Sequence, residues 1–313
     1  MEFKFLSLFS DPTFKYFIIA YLIIALSVWI LTLITDNHSI MDKLWPLLPM
    51  FYSFGFLYTA FKSSSSAGTD LSRLVLMTIL ITLWGLRLAY AFYRRGYYRS
   101  DFEDHRWPQV KKRFNYPQEQ LKFQIYNFFF MALTQNLILL GYPLPMWYIQ
   151  TNRQDPFNYL DVVILIWFVV FFVIEAVADE QQWKFQNAKY DWIDEQKRGA
   201  TESKYSPQEI EDFERGFLVK GLFSYSRHPN YFGDIGLWWC IYAFTISAHL
   251  SSVKFSSLFN YSMTSTLLMS FLFQLSVKVT EKITAKKYPE YKNYQSKIGK
   301  IFPSFNPYVP KSN

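Results

Sequence analysis

The chain has 313 residues, of which 51% are hydrophobic and 21% aromatic, and its 32 Lys and Arg exceed its 25 Asp and Glu to give a net charge of +7. This aromatic content excludes an intrinsically disordered chain, and 11 glycines with a single cysteine exclude a collagen-like or disulfide-stapled fold. The mean hydropathy of +0.01 averages very apolar and very polar segments, so their order along the chain has to be considered.

Seven apolar segments are long enough to cross a hydrocarbon core of about 30 Å as helices, since a helix rises about 1.5 Å per residue. Pro143 and Pro145 interrupt the fourth of them. The sequence therefore predicts an all-α fold, a polytopic membrane bundle of about seven transmembrane helices that forms a single integral-membrane domain over residues 1–313. In chain order, the segments are residues 14–35, 44–61, 74–93, 123–149, 160–178, 230–248 and 262–279.

The charges between these segments are distributed unevenly. If the spans alternate in direction, the loops on one side hold 24 of the 32 basic residues and the loops on the other side hold five. Basic residues favour the inner side of a membrane. We therefore expect a basic inner face with a large loop at residues 179–229 and the C-terminal tail at residues 280–313. The expected membrane is the endoplasmic reticulum, with the mitochondrial inner membrane and a bacterial membrane as alternatives.

The large inner loop contains its own helix signals. Ser206 is a typical N-cap, Pro207 suits the first helical position, and Glu209 stands where a capping box requires an acid. Gly216 is typical of the residue that follows a helix. The sequence therefore predicts a short polar helix within this loop.

Polar residues gather at the inner edge of the predicted spans, where charges are costly unless they face a cavity or a partner. Each group alone is also typical of an exposed helix end, but Asn230, Asp234 and Trp238 follow at intervals of four and share one helix face. The four histidines lack metal-type spacing, and no zinc-finger, helix-turn-helix or basic-zipper pattern indicates nucleic-acid binding. The polar groups are Glu175 with Asp179, residues 226–238, Glu281 with residues 288–294, and Asp42 with Lys43.

Residues 221–234, read as GLFSYSRHPNYFGD, closely resemble the RHPNYxGE motif of steroid 5-alpha-reductase-like membrane proteins. The resemblance is to an uncharacterised branch of that superfamily, which is related to the isoprenylcysteine methyltransferases. It extends from about Asp42 to Pro303. Further motifs that resemble this branch lie at residues 42–46, 83–88, 94–96, 103–107, 178–181, 288–291 and 302–303.

The resemblance implies an oxidoreductase that acts on CH–CH groups and reduces an activated double bond of a lipid or steroid-like substrate with NADPH. Asp234 stands where the family commonly has Glu. By motif position, the resemblance implies cofactor contacts for Asp179, Arg227, His228, Asn230, Tyr231, Asp234, Trp238 and Lys292.

The catalytic pair of the steroid reductases has no counterpart in this chain. Those enzymes use a Glu in the second span and a Tyr in the third to bind and protonate the enone oxygen. The matching stretches, residues 45–49 and 83–87, contain neither. Asp42 and Arg87 are the nearest catalytic candidates, and each is equally compatible with a structural role.

Two other functions fit the same motifs. Isoprenylcysteine and phospholipid methyltransferases share a similar Arg-His-Pro-x-Tyr element, and they bind S-adenosylmethionine there. A third hypothesis is a non-catalytic accessory subunit that keeps the fold. The expected partners are therefore membrane lipids with a lipid substrate, or other subunits of a membrane complex.

Overall fold

The computed structural model describes residues 8–64, 70–104, 106–152, 155–199, 202–252 and 258–310. Within these ranges the protein is helical, and the extended pairing found there is a single bridge between Ser226 and Gly299. Two 3₁₀-helices lie at Gly221–Ser224 and Leu250–Ser252. The other helices are α1 (Pro12–Thr35), α2 (Ile40–Leu44), α3 (Leu47–Ser64), α4 (Ser72–Arg94), α5 (Trp107–Arg113), α6 (Gln120–Tyr126), a π-helix (Asn127–Gln135), α7 (Asn136–Gly141), α8 (Leu144–Thr151), α9 (Tyr159–Lys197), α10 (Pro207–Arg215), α11 (Pro229–Ser247), α12 (Met263–Lys287) and α13 (Tyr291–Lys297).

Four of the described helical segments are long and apolar enough to cross a membrane: α1, α4, the continuous run Gln120–Gly141, and α9. The all-α membrane fold is therefore confirmed. The other predicted spans form α3, α11 and α12, which are not among these four, so the count of seven is not confirmed.

The chain divides into two compact units. The first comprises Met1–Ile164 with Trp238–Leu268, and the second comprises Leu165–Leu237 with Met269–Asn313. The division passes through α9, α11 and α12, so each of these helices contributes to both units.

Aromatic rings fill the core of the first unit. The ring centroids of Phe17 and Phe56 lie 4.5 Å apart, and those of Phe14 and Trp147 lie 5.0 Å apart. Gly55 allows this approach, because a Cβ atom there would lie 2.5 Å from the Phe17 ring. These contacts pack α1, α3 and α8 together.

Polar side chains in this unit bind backbone carbonyls next to the π-helix. The Asn136 side chain donates to Tyr21 O at 2.9 Å and accepts from the Tyr52 hydroxyl at 3.3 Å. The Tyr21 hydroxyl donates to Leu133 O at 3.2 Å. Because a bilayer offers no water to such groups, they need partners inside the protein.

Helix α9 is longer than the predicted span. Its 39 residues extend about 58 Å, well beyond a hydrocarbon core of about 30 Å. The apolar run predicted at residues 160–178 is its first half, and the segment 179–229 opens with the remaining helix instead of a loop.

The second unit contains the predicted polar helix, α10. The Ser206 side chain accepts from Glu209 N and the Glu209 carboxylate accepts from Ser206 N, so the capping box is confirmed. Gly216 ends the helix with φ +85°, and a Cβ atom there would lie 2.0 Å from the Tyr288 ring. The C-terminal segment is packed against the rest of this unit through a buried hydrophobic cluster. The cluster consists of Phe217, Val219, Tyr291, Tyr294, Ile298 and Tyr308.

A buried ion pair joins the start of α4 to the start of α9 in the first unit. Arg73 Nε and Nη2 donate to the two carboxylate oxygens of Asp161 at 2.8 and 2.9 Å. The guanidinium also donates to Asp155 O and Pro156 O at 3.0 Å each. Arg73 is 1% exposed and Asp161 is fully buried, so removal of either leaves a buried charge without its counter-ion.

We expect Arg73→Met to lower the free energy of unfolding by about 3 to 5 kcal/mol, the usual cost of removing one partner from a buried pair. Arg99→Met is the control, since Arg99 forms a similar pair with Asp101 on an exposed surface. Thermal unfolding of both variants in detergent tests this. Equal stability of the two variants would contradict a structural role for Arg73.

Candidate functional site

The segment before α11 is fixed by a buried carboxylate. Arg227 Nε and Nη2 donate to the Glu281 oxygens Oε1 and Oε2 at 2.6 and 3.1 Å. Arg227 Nη1 also donates to Gln295 O at 2.9 Å and to Ile298 O. Arg227 therefore ties the start of α11 to the C-terminal ends of α12 and α13.

His228 contacts the same carboxylate. Its Nε2 lies 3.1 Å from Glu281 Oε1, and its ring stacks on Tyr231 with centroids 5.6 Å apart. Tyr231 in turn stacks on Phe273 at 4.4 Å with an interplanar angle of 7°. These stacked rings leave His228 and Tyr231 closely packed at the first turn of α11.

Glu281 is 5% exposed and receives two further hydrogen bonds, from Gln295 Nε2 at 2.9 Å and the Tyr291 hydroxyl at 3.3 Å. Burial alone would raise the pKa of this carboxyl. The hydrogen bonds from His228, Arg227 and Gln295 outweigh burial and lower the pKa to about 2. Glu281 is therefore ionised at neutral pH.

Asn230 and Asp179 are brought together in the second unit. The Asn230 side-chain amide donates to Asp179 Oδ1 at 3.4 Å, which joins α11 to α9. The helices are close here because Gly233 has no side chain: a Cβ atom would lie 2.8 Å from Phe171 O. Asp234 lies one turn further along α11 and is buried. The predicted polar stripe thus faces the protein interior over this part of α11.

Trp238 belongs to the first unit. It is 2% exposed, and its ring centroid lies 4.1 Å from that of Tyr142 and 4.8 Å from that of Trp84. Trp238 is therefore packed against buried aromatic rings. Lys292 lies on α13 in the second unit, with its side chain exposed.

Asp42 lies where two motifs of the first unit meet. It accepts from Trp107 Nε1 at 3.3 Å, and Arg106 Nη2 is 3.7 Å from its other oxygen. Arg106 Nε also donates to Asp104, which accepts from the Tyr97 hydroxyl at 2.7 Å. Burial raises the pKa of Asp42 to about 6, although Arg106 opposes this shift. Asp42 is therefore a carboxyl that can exchange a proton near neutral pH.

Arg87, the other catalytic candidate, is half-buried on α4, three residues after the buried Trp84. It shares the first unit with Asp42. His105, part of the motif at residues 103–107, lies outside the described residues.

Sequence reasoning missed His38, which contacts Glu103 in the first unit. Its backbone N donates to Glu103 Oε1 at 3.0 Å, and its Nδ1 lies 3.3 Å from the same oxygen. Lys111 Nζ donates to the other Glu103 oxygen at 3.3 Å. Only Glu103 lies in a quoted motif, and nothing in the local spacing indicates a partner 65 residues away.

Comparison with known proteins gives a family without a stated activity. Residues 28–298 match the description "Protein of unknown function (DUF1295)". The chain is 33% identical over 293 residues to the uncharacterized protein C594.04c of Schizosaccharomyces pombe, which covers 92% of this chain and 77% of that protein. No solved structure matches. The resemblance to steroid 5-alpha-reductases therefore stays a prediction.

We expect Asp42→Asn to stabilise the protein increasingly as the pH rises. Because the folded pKa is raised from 3.8 to about 6, the Asp42 contribution is fully present below pH 3.8 and is lost as the pH rises through about 6. The variant should gain about 3 kcal/mol over wild type across this window. Thermal unfolding as a function of pH measures it, and a difference that does not change with pH would refute the raised pKa.

Glu281→Gln should show the opposite trend. Because the folded pKa is lowered from 4.5 to about 2, the stabilisation by Glu281 is fully present above pH 4.5 and is lost as the pH falls through about 2. Wild type should therefore be more stable than the variant at neutral pH, and the two should converge in acid. Glu290→Gln, at an exposed position on the same segment, is the matched control for the same unfolding measurement. A gap between wild type and Glu281→Gln that persists unchanged in acid would contradict this assignment.

Proposed function

The chain belongs to the DUF1295 family, and we propose that it is a membrane reductase that uses NADPH to reduce an activated carbon–carbon double bond of a lipid or steroid-like substrate. The observation that supports this most directly is the pair formed by Asn230 and Asp179 on α11 and α9. Both stand at motif positions that the resemblance assigns to the cofactor.

The chemistry of this pair suits a nucleotide cofactor. A side-chain amide both donates and accepts hydrogen bonds, and a carboxylate accepts them from hydroxyl or carboxamide groups. Ribose hydroxyls and the nicotinamide carboxamide present such groups. When bound, NADPH supplies the hydride, and the protein supplies binding and orientation.

Arg227 and His228 support the pair indirectly. Both contact Glu281, so we propose that they position the first turn of α11 and with it Asn230. Lys292, exposed on α13, is then the motif residue with a cation available for a phosphate group.

One observation favours the methyltransferase as second candidate. Arg227, the cation of the central motif, is already paired with Glu281 and with two carbonyls. A dinucleotide diphosphate needs several cations, whereas S-adenosylmethionine carries one carboxylate and needs fewer. The same Asn230 and Asp179 could bind its ribose.

Ligand-induced stabilisation separates these candidates. A ligand that binds only the folded state at a hundredfold excess over its Kd stabilises it by about 2.7 kcal/mol. We expect NADPH, and not S-adenosylmethionine, to raise the unfolding temperature of the purified protein. Asn230→Ala should abolish this rise, whereas Asn293→Ala, an exposed asparagine on α13, should retain it.

Two outcomes would contradict the reductase. Stabilisation by S-adenosylmethionine alone would support the methyltransferase. A response to neither ligand, together with extraction in a stable larger complex, would support the accessory subunit.

A further inference from the structure

The chain after α13 folds into a fixed loop, residues 299–305, which we call the tail loop. Gly299 N donates to Ser304 Oγ at 2.8 Å and closes the loop on itself. Ser304 N donates to Tyr225 O and Ser226 Oγ donates to Ile301 O, both at 2.7 Å. These bonds hold the tail loop against the segment that leads into α11.

The tail loop exposes two phenylalanine rings. Phe302 is 68% exposed and Phe305 is fully exposed, while Ile301 between the hydrogen bonds is buried. The hydrogen bonds fix the backbone that carries both rings. Apolar rings presented in this way on a fixed loop are typical of a surface that another apolar phase covers.

Ring contacts relate the tail loop to the apolar part of α9. The Phe302 ring lies 6.0 Å from that of Phe232 on α11, and the Phe232 ring lies 5.5 Å from that of Phe171 on α9. Phe171 lies within the predicted span at residues 160–178. Its neighbours Trp167 and Val170 are exposed apolar residues on a helix long enough to cross a membrane. Two ring contacts therefore connect Phe302 to the apolar part of α9.

We propose that the tail loop inserts Phe302 and Phe305 into the lipid bilayer beside α9. Lys297 precedes the loop and has an exposed side chain, and Lys300 lies within the loop with its side chain half-buried. Aromatic rings at the level of the acyl chains with lysines next to them suit a bilayer that contains anionic headgroups. The tail loop then anchors the C-terminal segment 280–313, predicted as an inner-side tail, in the membrane. This inference does not depend on the proposed function.

Site-directed spin labelling tests the insertion. The chain has one cysteine, the buried Cys240, so Phe305→Cys and Phe302→Cys can be labelled with a nitroxide in a Cys240→Ala background. The labelled protein is reconstituted in vesicles of phosphatidylcholine and phosphatidylserine. Collision of each label with oxygen, which concentrates in lipid, is compared with collision with a water-soluble nickel chelate. Glu214→Cys, at an exposed position on the polar helix α10, is the control.

We expect oxygen to relax the labels at 302 and 305 more strongly than the nickel chelate, and the reverse at 214. Nickel access at 302 and 305 equal to that at 214 would overturn the proposal, because the rings would then face water. Labels at both positions that are immobile and shielded from both reagents would also overturn it, in favour of a protein partner. Phe305 is fully exposed, so its replacement leaves the fold intact.

Discussion

The buried Glu281 carboxylate holds together parts of the second unit that are far apart in the sequence. Arg227 reaches it from the segment before α11, and Gln295 reaches it from α13. A carboxylate that has lost its hydration is tolerated only where counter-charge and hydrogen bonds replace the water. We propose that the first turn of α11, and with it the position of Asn230 against Asp179, depends on these contacts to Glu281. The candidate cofactor pair is thus a consequence of an ion pair that does not itself have to touch a ligand.

The buried guanidinium groups of Arg73 and Arg227 satisfy their hydrogen-bond donors in the same way. Arg73 and Arg227 each bind a carboxylate through two nitrogen atoms and also donate to two backbone carbonyls. The additional bonds satisfy donors that a carboxylate alone leaves over, and in a medium of low dielectric constant an unsatisfied donor is expensive. The carbonyls belong to chain segments outside regular helices or at helix ends, where intrahelical partners are lacking. Each arginine therefore stabilises an irregular connection as well as a charge.

The sequence predicted features with a local cause and missed those with a distant one. Apolar runs locate α1, α4 and the first half of α9, and the capping box at Ser206 with the glycine at 216 locates α10. Hydropathy could not locate the end of α9, because a helix that leaves the membrane continues on polar residues. Arg73 counted only as a loop charge, since its partner Asp161 is 88 residues away. The spacing of four placed Asn230, Asp234 and Trp238 on one face, yet it could not show that Trp238 packs in the first unit with Trp84 and Tyr142.

The glycine that ends α10 has a consequence for how related chains can vary. At Gly216 the backbone adopts a left-handed conformation, and the Tyr288 ring occupies the space that a side chain would need. The Gly216 carbonyl also accepts a hydrogen bond from the buried Lys189 Nζ at 3.0 Å. Two independent obstacles, one of backbone torsion and one of volume, thus oppose every other amino acid at this position. A homologue without glycine there has to end this helix differently and release the tyrosine, so this single position reports whether a related chain keeps its C-terminal segment docked.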